Sequence, residues 1–262
     1  MDFTVLTIFP DMFQGFWNYG IVAKAIAQKQ ISAAALNIRD FSTDKHRTTD
    51  DRPYGGGSGM VMKPEPLADA VREAKRLSPL SQTILLTPQG RPFNQEMARS
   101  FAERDGFILV CGRYEGIDER ICYDFIDQEV SIGDYVLMGG ELAAMIVMEA
   151  VTRLIPGVLG GDDSAERDSF SGGLLEHAHF TRPPVFNGHV VPEVLLSGNH
   201  REIEKWRFET SIVRTFLKRP DLLEERALTQ REVQVLKEWC RRVESIVRAQ
   251  SARGVDSPPG GE

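Results

Sequence analysis

Three stretches of the chain end an apolar run in a turn rich in glycine or proline. They are Leu86-Thr-Pro-Gln-Gly90, Cys111-Gly-Arg-Tyr-Glu-Gly116 and Ser131-Ile-Gly-Asp-Tyr-Val-Leu-Met-Gly-Gly-Glu141. Glycine lets the backbone approach a ligand closely, and bare N–H and C=O groups can read the edge of a flat heterocycle. Any one of the three could be an ordinary tight turn between a strand and a helix. Three together, with few cations near them, suggest an adenine-like ligand that is not a polyphosphate. A fourth stretch, Gly55-Gly-Gly-Ser-Gly59, lacks the Lys-Ser/Thr of a P-loop, and no G-x-G-x-x-G fingerprint opens a helix after the first strand. A mobile hinge or lid is its simpler reading. His177-Ala-His179 offers two metal-ligand types, but with no cysteine nearby and no H-E-x-x-H spacing it reads as two loop histidines. No G-x-S-x-G elbow is present, which argues against a serine hydrolase.

These loops need a scaffold, and the alternation of apolar periods supplies one. Asp2–Phe9 and Ser32–Ile38 read as strands, and Gln82–Leu86, Phe107–Cys111 and Ile126–Ile132 as short buried ones. Helical stretches fall between them at Glu65–Leu77, Asn94–Glu103 and Ile117–Phe125. Strand-helix-strand repetition predicts an α/β fold: a mostly parallel sheet with helices on both faces. On such sheets ligands gather at the carboxyl ends of the strands, where the unusual loops lie. Residues 42–58 form a polar, glycine-rich loop of a length that usually marks function or disorder. Glu141–Leu154 is apolar on nearly every face, as a helix buried in a core or an oligomer interface would be.

Residues 160–170 read as a flexible linker, so that 1–159 form one domain and 171–250 a second, helical one. In the latter, Asn199–Leu217 carries Arg201, Lys205 and Arg214, which read either as phosphate contacts or as a solvated basic face. Thr229-Gln-Arg-Glu232 is a capping box opening a last helix, and 251–262 reads as a disordered tail.

The whole chain has 262 residues, 42% hydrophobic and 26% charged, with a net charge of −7. That composition is globular, and the negative total argues weakly against a generic nucleic-acid binder. Charge is uneven, however: residues 201–219 hold six basic and three acidic side chains, enough for a local anion-binding patch. The three cysteines, Cys111, Cys122 and Cys240, show no C-x-x-C spacing, which favours a reducing, cytoplasmic home over a disulfide framework. No secretory signal opens the chain, and its most apolar segment is too polar for a membrane span.

Together the motifs are more telling than any one. Leu85–Arg91, Val110–Arg120 and Ser131–Glu141 closely resemble the bacterial tRNA (guanine-N1)-methyltransferase family, TrmD, of the SPOUT superfamily. The likeness extends to Tyr54-Gly-Gly-Gly-Ser-Gly-Met60, Asp168-Ser-Phe-Ser171, Phe180-Thr-Arg-Pro183, Ser197-Gly-Asn-His200 and Trp206-Arg207, covering roughly residues 1–245. Glu176 and Phe180 depart from it, standing where a shorter acid and a tyrosine are common. The resemblance implies a deep trefoil knot in the sheet, although general topology rules would argue against any knot. It also implies an S-adenosyl-L-methionine donor, a tRNA substrate, and a homodimer with active sites at the subunit interface.

The reaction so implied methylates N1 of the guanosine just 3′ of the anticodon. Guanine N1 carries a proton, so a base must accept it while a donor steadies charge developing at O6. The family pattern assigns these roles to Asp168 and Arg153. Read without it, Asp168 is a solvated linker acid and Arg153 an (i, i+4) partner of Glu149. Cofactor contacts carry over to Thr87, Pro88, Gly112, Ile132, Gly133, Asp134, Tyr135, Val136, Leu137, Gly139 and Gly140. Glu115 either faces the ligand's cationic end or sits in a turn. No metal site is expected, and the residues leave assistance by Mg2+ undetermined. The competing readings are an RNA-binding module without turnover and an enzyme modifying another RNA nucleoside.

Overall fold

The computed structural model describes residues 1–160 and 168–251, so the linker expected at 160–170 and the tail expected at 251–262 lie largely outside the described residues. The chain divides into two compact units, Met1–Ala165 and Glu166–Glu262.

The first unit is built on the apolar runs. Its elements are β1 (Asp2–Thr7), α1 (Met12–Asn18), α2 (Gly20–Ala27), β2 (Ser32–Asn37), a 3₁₀ turn (Ile38–Phe41), β3 (Asp50–Asp51), β4 (Val61–Met62), α3 (Pro64–Leu77), β5 (Gln82–Pro92), α4 (Gln95–Ala102), β6 (Gly106–Cys111), α5 (Arg120–Phe125), β7 (Gln128–Ser131) and α6 (Glu141–Thr152). Five strands pair in the order β2-β1-β6-β5-β7, every neighbour parallel. The central strand β6, Gly-Phe-Ile-Leu-Val-Cys, is buried at every residue, as a strand covered on both faces requires.

Alternate residues of the sheet feed two cores. Phe3, Val5, Ile84, Leu86, Phe107 and Leu109 pack with Phe13 of α1, Met97 of α4 and Val147 of α6. Leu6, Leu85, Ile108 and Val110 pack on the other face with Leu67 and Val71 of α3 and Ile121 of α5. The period of two thus decides which core each side chain joins.

Three local differences from the sequence reading have physical causes. Residues 12–27 form α1 and α2, where no helix was expected; Gly15 and Gly20 interrupt the pattern, yet Phe13, Val22 and Ala25 are buried. Strand β5 does not stop at Leu86 but resumes at Arg91, with a register break between them. Helix α5 begins at Arg120 rather than Ile117, because Ile117 bridges Met62 of β4 in parallel fashion and Asp118 N–H donates to the Met62 carbonyl at 3.0 Å.

The second unit contains β8 (Val185–Phe186), β9 (His189–Val190), α7 (Glu193–Leu196), α8 (His200–Lys218), α9 (Asp221–Glu224) and α10 (Gln230–Ser251). Strands β8 and β9 are joined by Asn187-Gly188, both at positive φ, the chemistry of a two-residue hairpin turn. The capping box at α10 forms: Glu232 N–H donates to Thr229 Oγ1 at 3.3 Å while Thr229 N–H donates to Glu232 Oε2 at 2.7 Å. Arg226 adds an ion pair to Glu232 at 2.7 Å. That guanidinium above all, then the Thr229 donors, holds the Glu232 carboxyl below its usual range against the opposing effect of burial.

Candidate functional site

The carboxyl ends of β5, β6 and β7 open into one cavity of about 400 Å3. Its walls come from the three strand-end loops, residues 85–89, residues 112–117, and residues 129–140 except Asp134, with Glu119, Cys122 and Ala143 beside them. Of the twelve cofactor-binding candidates, Thr87, Pro88, Gly112, Glu115, Ile132, Gly133, Tyr135, Val136, Leu137, Gly139 and Gly140 line it. Asp134 belongs to the same loop but is not among the lining residues.

Close backbone approach explains the glycines. A Cβ on Gly90 would come within 2.3 Å of the Val130 nitrogen, and one on Gly140 within 2.8 Å of the Cys111 Cα. Gly140 N–H donates to the Gly112 carbonyl at 2.9 Å, and Arg113 bridges Gly139 in antiparallel fashion. Two loops distant in sequence are thereby zipped together along the cavity wall. Gly133 has φ +141°, and a Cβ there would meet the Tyr135 ring at 2.6 Å. Crowding at that position therefore falls on Tyr135, whose hydroxyl donates to the Ile132 carbonyl at 3.2 Å.

The glycine-rich stretch 55–59 is tied to the same wall. Glu115 N–H donates to the Met60 carbonyl, and Met62 N–H to the Gly116 carbonyl, both at 3.0 Å. Gly59 has φ +92°, and a Cβ there would lie 2.3 Å from the Glu115 carboxylate, so another residue would be strained and would displace that side chain. Glu115 is thus both a turn residue and a cavity residue.

Charge on the lining is one-sided. Glu115, Glu119 and Glu129 face Arg113 as the one cation among the lining residues, and Arg113 Nε is already engaged by Glu141 Oε2 at 3.1 Å. Cys122 lines the cavity too; burial, with Glu129 and Glu119 nearby, pushes its thiol up to about 11. Burial above all, then Glu141, raises the thiol of Cys111 well above its usual value. Both thiols are protonated at neutral pH and are poor nucleophiles.

The remaining candidates do not line this cavity. Arg153 is the C-cap of α6. Asp168 belongs to the second unit, where its carbonyl accepts from Ser171 N–H at 3.1 Å. Arg201, Lys205 and Arg214 all lie on α8; Arg201 and Lys205 are exposed and Arg214 is half-buried. Lys205 has Glu209 within 3.8 Å. The two loop histidines have company that their spacing did not reveal: Glu176, His177 and His179 place donor atoms within 4.8 Å of one another.

Residues 1–225 match the model of a protein family described as tRNA (Guanine-1)-methyltransferase TrmD. The chain belongs to this family. Proteins named tRNA (guanine-N(1)-)-methyltransferase are similar over almost the full length of both partners. The one from Desulfatibacillum aliphaticivorans is 54% identical over 257 residues, 98% of each chain. That from Hahella chejuensis is 52% identical over 91% of this chain and 93% of its own, and that from Dehalococcoides mccartyi 52% over 91% and 96%. A tRNA (guanine-1)-methyltransferase is a methyl-transfer enzyme, and the cavity loops carry neither a P-loop nor a dinucleotide fingerprint. Helix α10 lies wholly beyond the stretch that the family model matches.

Proposed function

We propose that the cavity holds S-adenosyl-L-methionine and that the protein methylates N1 of guanosine at tRNA position 37, next to the anticodon. The activity is that of a tRNA (guanine-N1)-methyltransferase, an S-adenosylmethionine-dependent enzyme. The observation that carries the cofactor reading is the acidic lining, with three carboxylates and one cation that is already paired. Such a lining repels a polyphosphate and suits a ligand bearing sulfonium and ammonium charges. The volume falls in the range of pockets that enclose small ligands, and the backbone at Gly112, Gly139 and Gly140 forms part of the wall against which a flat base would lie. When bound, the donor supplies an electrophilic methyl group.

In this reading Asp168 accepts the N1 proton and the Arg153 guanidinium faces O6, where charge develops as the proton leaves. Arg201, Lys205 and Arg214 contact tRNA phosphates, so the second unit positions the substrate and the first holds the cofactor. A homodimer completes each active site. Support comes from α6, where Leu142 and Ile146, one turn apart, remain 52% and 45% exposed although the opposite face is core; an apolar face of that kind asks for a cover. The trefoil knot and a cytoplasmic location complete the reading. No helix among the described residues is long and apolar enough to cross a membrane.

The test is direct. Unmodified tRNA is incubated with the protein and labelled S-adenosylmethionine, then digested and its methylated nucleoside identified. 1-Methylguanosine at the position next to the anticodon is expected. Label in another nucleoside would overturn the substrate assignment, and no label would favour a binding module without turnover.

A further inference from the structure

Glu141 is the most deeply buried carboxylate among the described residues, 1% exposed, and both its oxygens are engaged. Thr7 Oγ1 donates to Oε1 at 2.7 Å and Arg113 Nε to Oε2 at 3.1 Å. The Phe9 N–H donates to the same Thr7 oxygen at 2.9 Å, which leaves the single hydroxyl proton of Thr7 for Glu141. The Arg113 guanidinium lies over the Phe9 ring, 4.5 Å from its centroid. Three elements therefore meet at one carboxylate: the end of β1, the loop after β6 and the first turn of α6.

Stability alone is a weak account of this arrangement, because a buried ion pair gains little over well-packed apolar side chains. Its position is more informative. Gly139 is held between the partners so tightly that a Cβ would lie 2.3 Å from Arg113 Nε and 2.6 Å from Glu141 Oε2. Gly112, Arg113, Gly139 and Gly140 all line the cavity, whereas Thr7 and the rest of β1 do not. A shift of either partner moves the wall.

We infer that Thr7, Glu141 and Arg113 form a positioning relay that sets the spacing of the two zipped loops, so that a strand with no residue in the cavity tunes its affinity for cofactor. This rests on the reading of the cavity as the S-adenosylmethionine site. The three are positioning residues, and Thr7 and Glu141 act only through the loops.

The experiment measures binding of S-adenosylhomocysteine by calorimetry to wild-type protein, Thr7→Val, Thr7→Ser and Glu141→Gln, each checked for folding by circular dichroism. Thr7→Val keeps the shape and deletes two hydrogen bonds, the one to Glu141 and the one from the Phe9 N–H, so the dissociation constant should rise about three- to tenfold. Thr7→Ser should restore it. Glu141→Gln removes the charge that Arg113 meets and should weaken binding by more than tenfold. In turnover the loss should be carried by KM for S-adenosylmethionine. Folded Thr7→Val that melts lower but binds within twofold of wild type would overturn the relay, leaving a merely structural contact. A fall in kcat with KM unchanged would overturn it too. Thr7→Val decides the matter even where Glu141→Gln does not fold. Failure of the wild-type protein to bind would instead overturn the cofactor reading itself, and the relay with it.

Discussion

Gly140→Ala isolates a single steric contact. Gly140 has φ −79° and ψ −5°, a conformation open to alanine, so backbone strain adds nothing. Only the new methyl matters. It would stand 2.8 Å from the Cys111 Cα, 3.2 Å from its Cβ and 3.3 Å from the Gly112 nitrogen. Carbon atoms rest at roughly 3.5–4.0 Å, so something must retreat by roughly 0.7–1.2 Å. The central strand is buried throughout and cannot yield, which leaves the loop before α6. Its retreat stretches the Gly140–Gly112 hydrogen bond and widens the cavity wall. Overpacking of this size costs about 1–3 kcal/mol. If that cost falls on the binding-competent loop geometry, affinity for S-adenosylhomocysteine drops about five- to 150-fold. Gly15→Ala is the control, since nothing lies within 4 Å of the added methyl in α1, and it should stabilise the protein by about 0.5–1 kcal/mol. Titration calorimetry paired with thermal melts reads both effects. A folded Gly140→Ala protein with wild-type affinity would refute the reasoning, because the zipped loops would then form no part of the cofactor wall.

Three further outcomes are expected. Asp168→Asn should slow single-turnover methylation roughly 10²–10⁴-fold at saturating tRNA and cofactor, and retention of a third of the wild-type rate would mean that the proton goes elsewhere. Sedimentation equilibrium should give twice the 29.3 kDa chain mass, and Leu142→Glu with Ile146→Glu should return it to the single-chain value; an unchanged dimer would place the interface off this face of α6. Because the folded carboxyl of Glu232 is held below its ordinary value, its contribution to stability is complete above the usual carboxylate range and is lost as pH falls through the folded value. The melting difference between wild type and Glu232→Gln should therefore shrink in acid, and a difference independent of pH would contradict the ion pair with Arg226.

Local signals made most of the scaffold legible. Phe107–Cys111 announces a doubly covered strand because each of its residues is apolar and bounded by glycine, and the structure buries all of them. The cavity was readable for the same reason: its walls are three contiguous loops, each carrying its own glycines. Residues 12–27 were opaque because Gly15 lies inside one short helix and Gly20 opens the next, and the formation of both depends on burying Phe13 and Val22. Thr87–Gly90 looks like a turn, and nothing local tells that the chain returns to the same strand at Arg91. Asn187-Gly188 did carry a hairpin signal, one that a reading fixed on helices passes over. The Thr7–Glu141 contact spans 134 residues and has no sequence signature at all. Asp168 stands in a run of acids that resembles any solvated linker, so only the family likeness singles it out.

The register break in β5 has a thermodynamic consequence. Leu86 and Arg91 both align with Val130 of β7, so residues 87–90 leave the sheet and come back to it at one point. This excursion is stapled at its neck, with Gly90 pressed against the Val130 backbone. Its conformational entropy is surrendered when the sheet assembles, before any ligand arrives. On the proposed reading, a cofactor entering the cavity would meet Thr87, Pro88 and Gln89 on a floor already ordered, and little of its binding energy would be diverted to organising them. Affinity and selectivity at this floor would then be inherited from the folding of β5 and β7, two strands that a screen of surface loops would never sample.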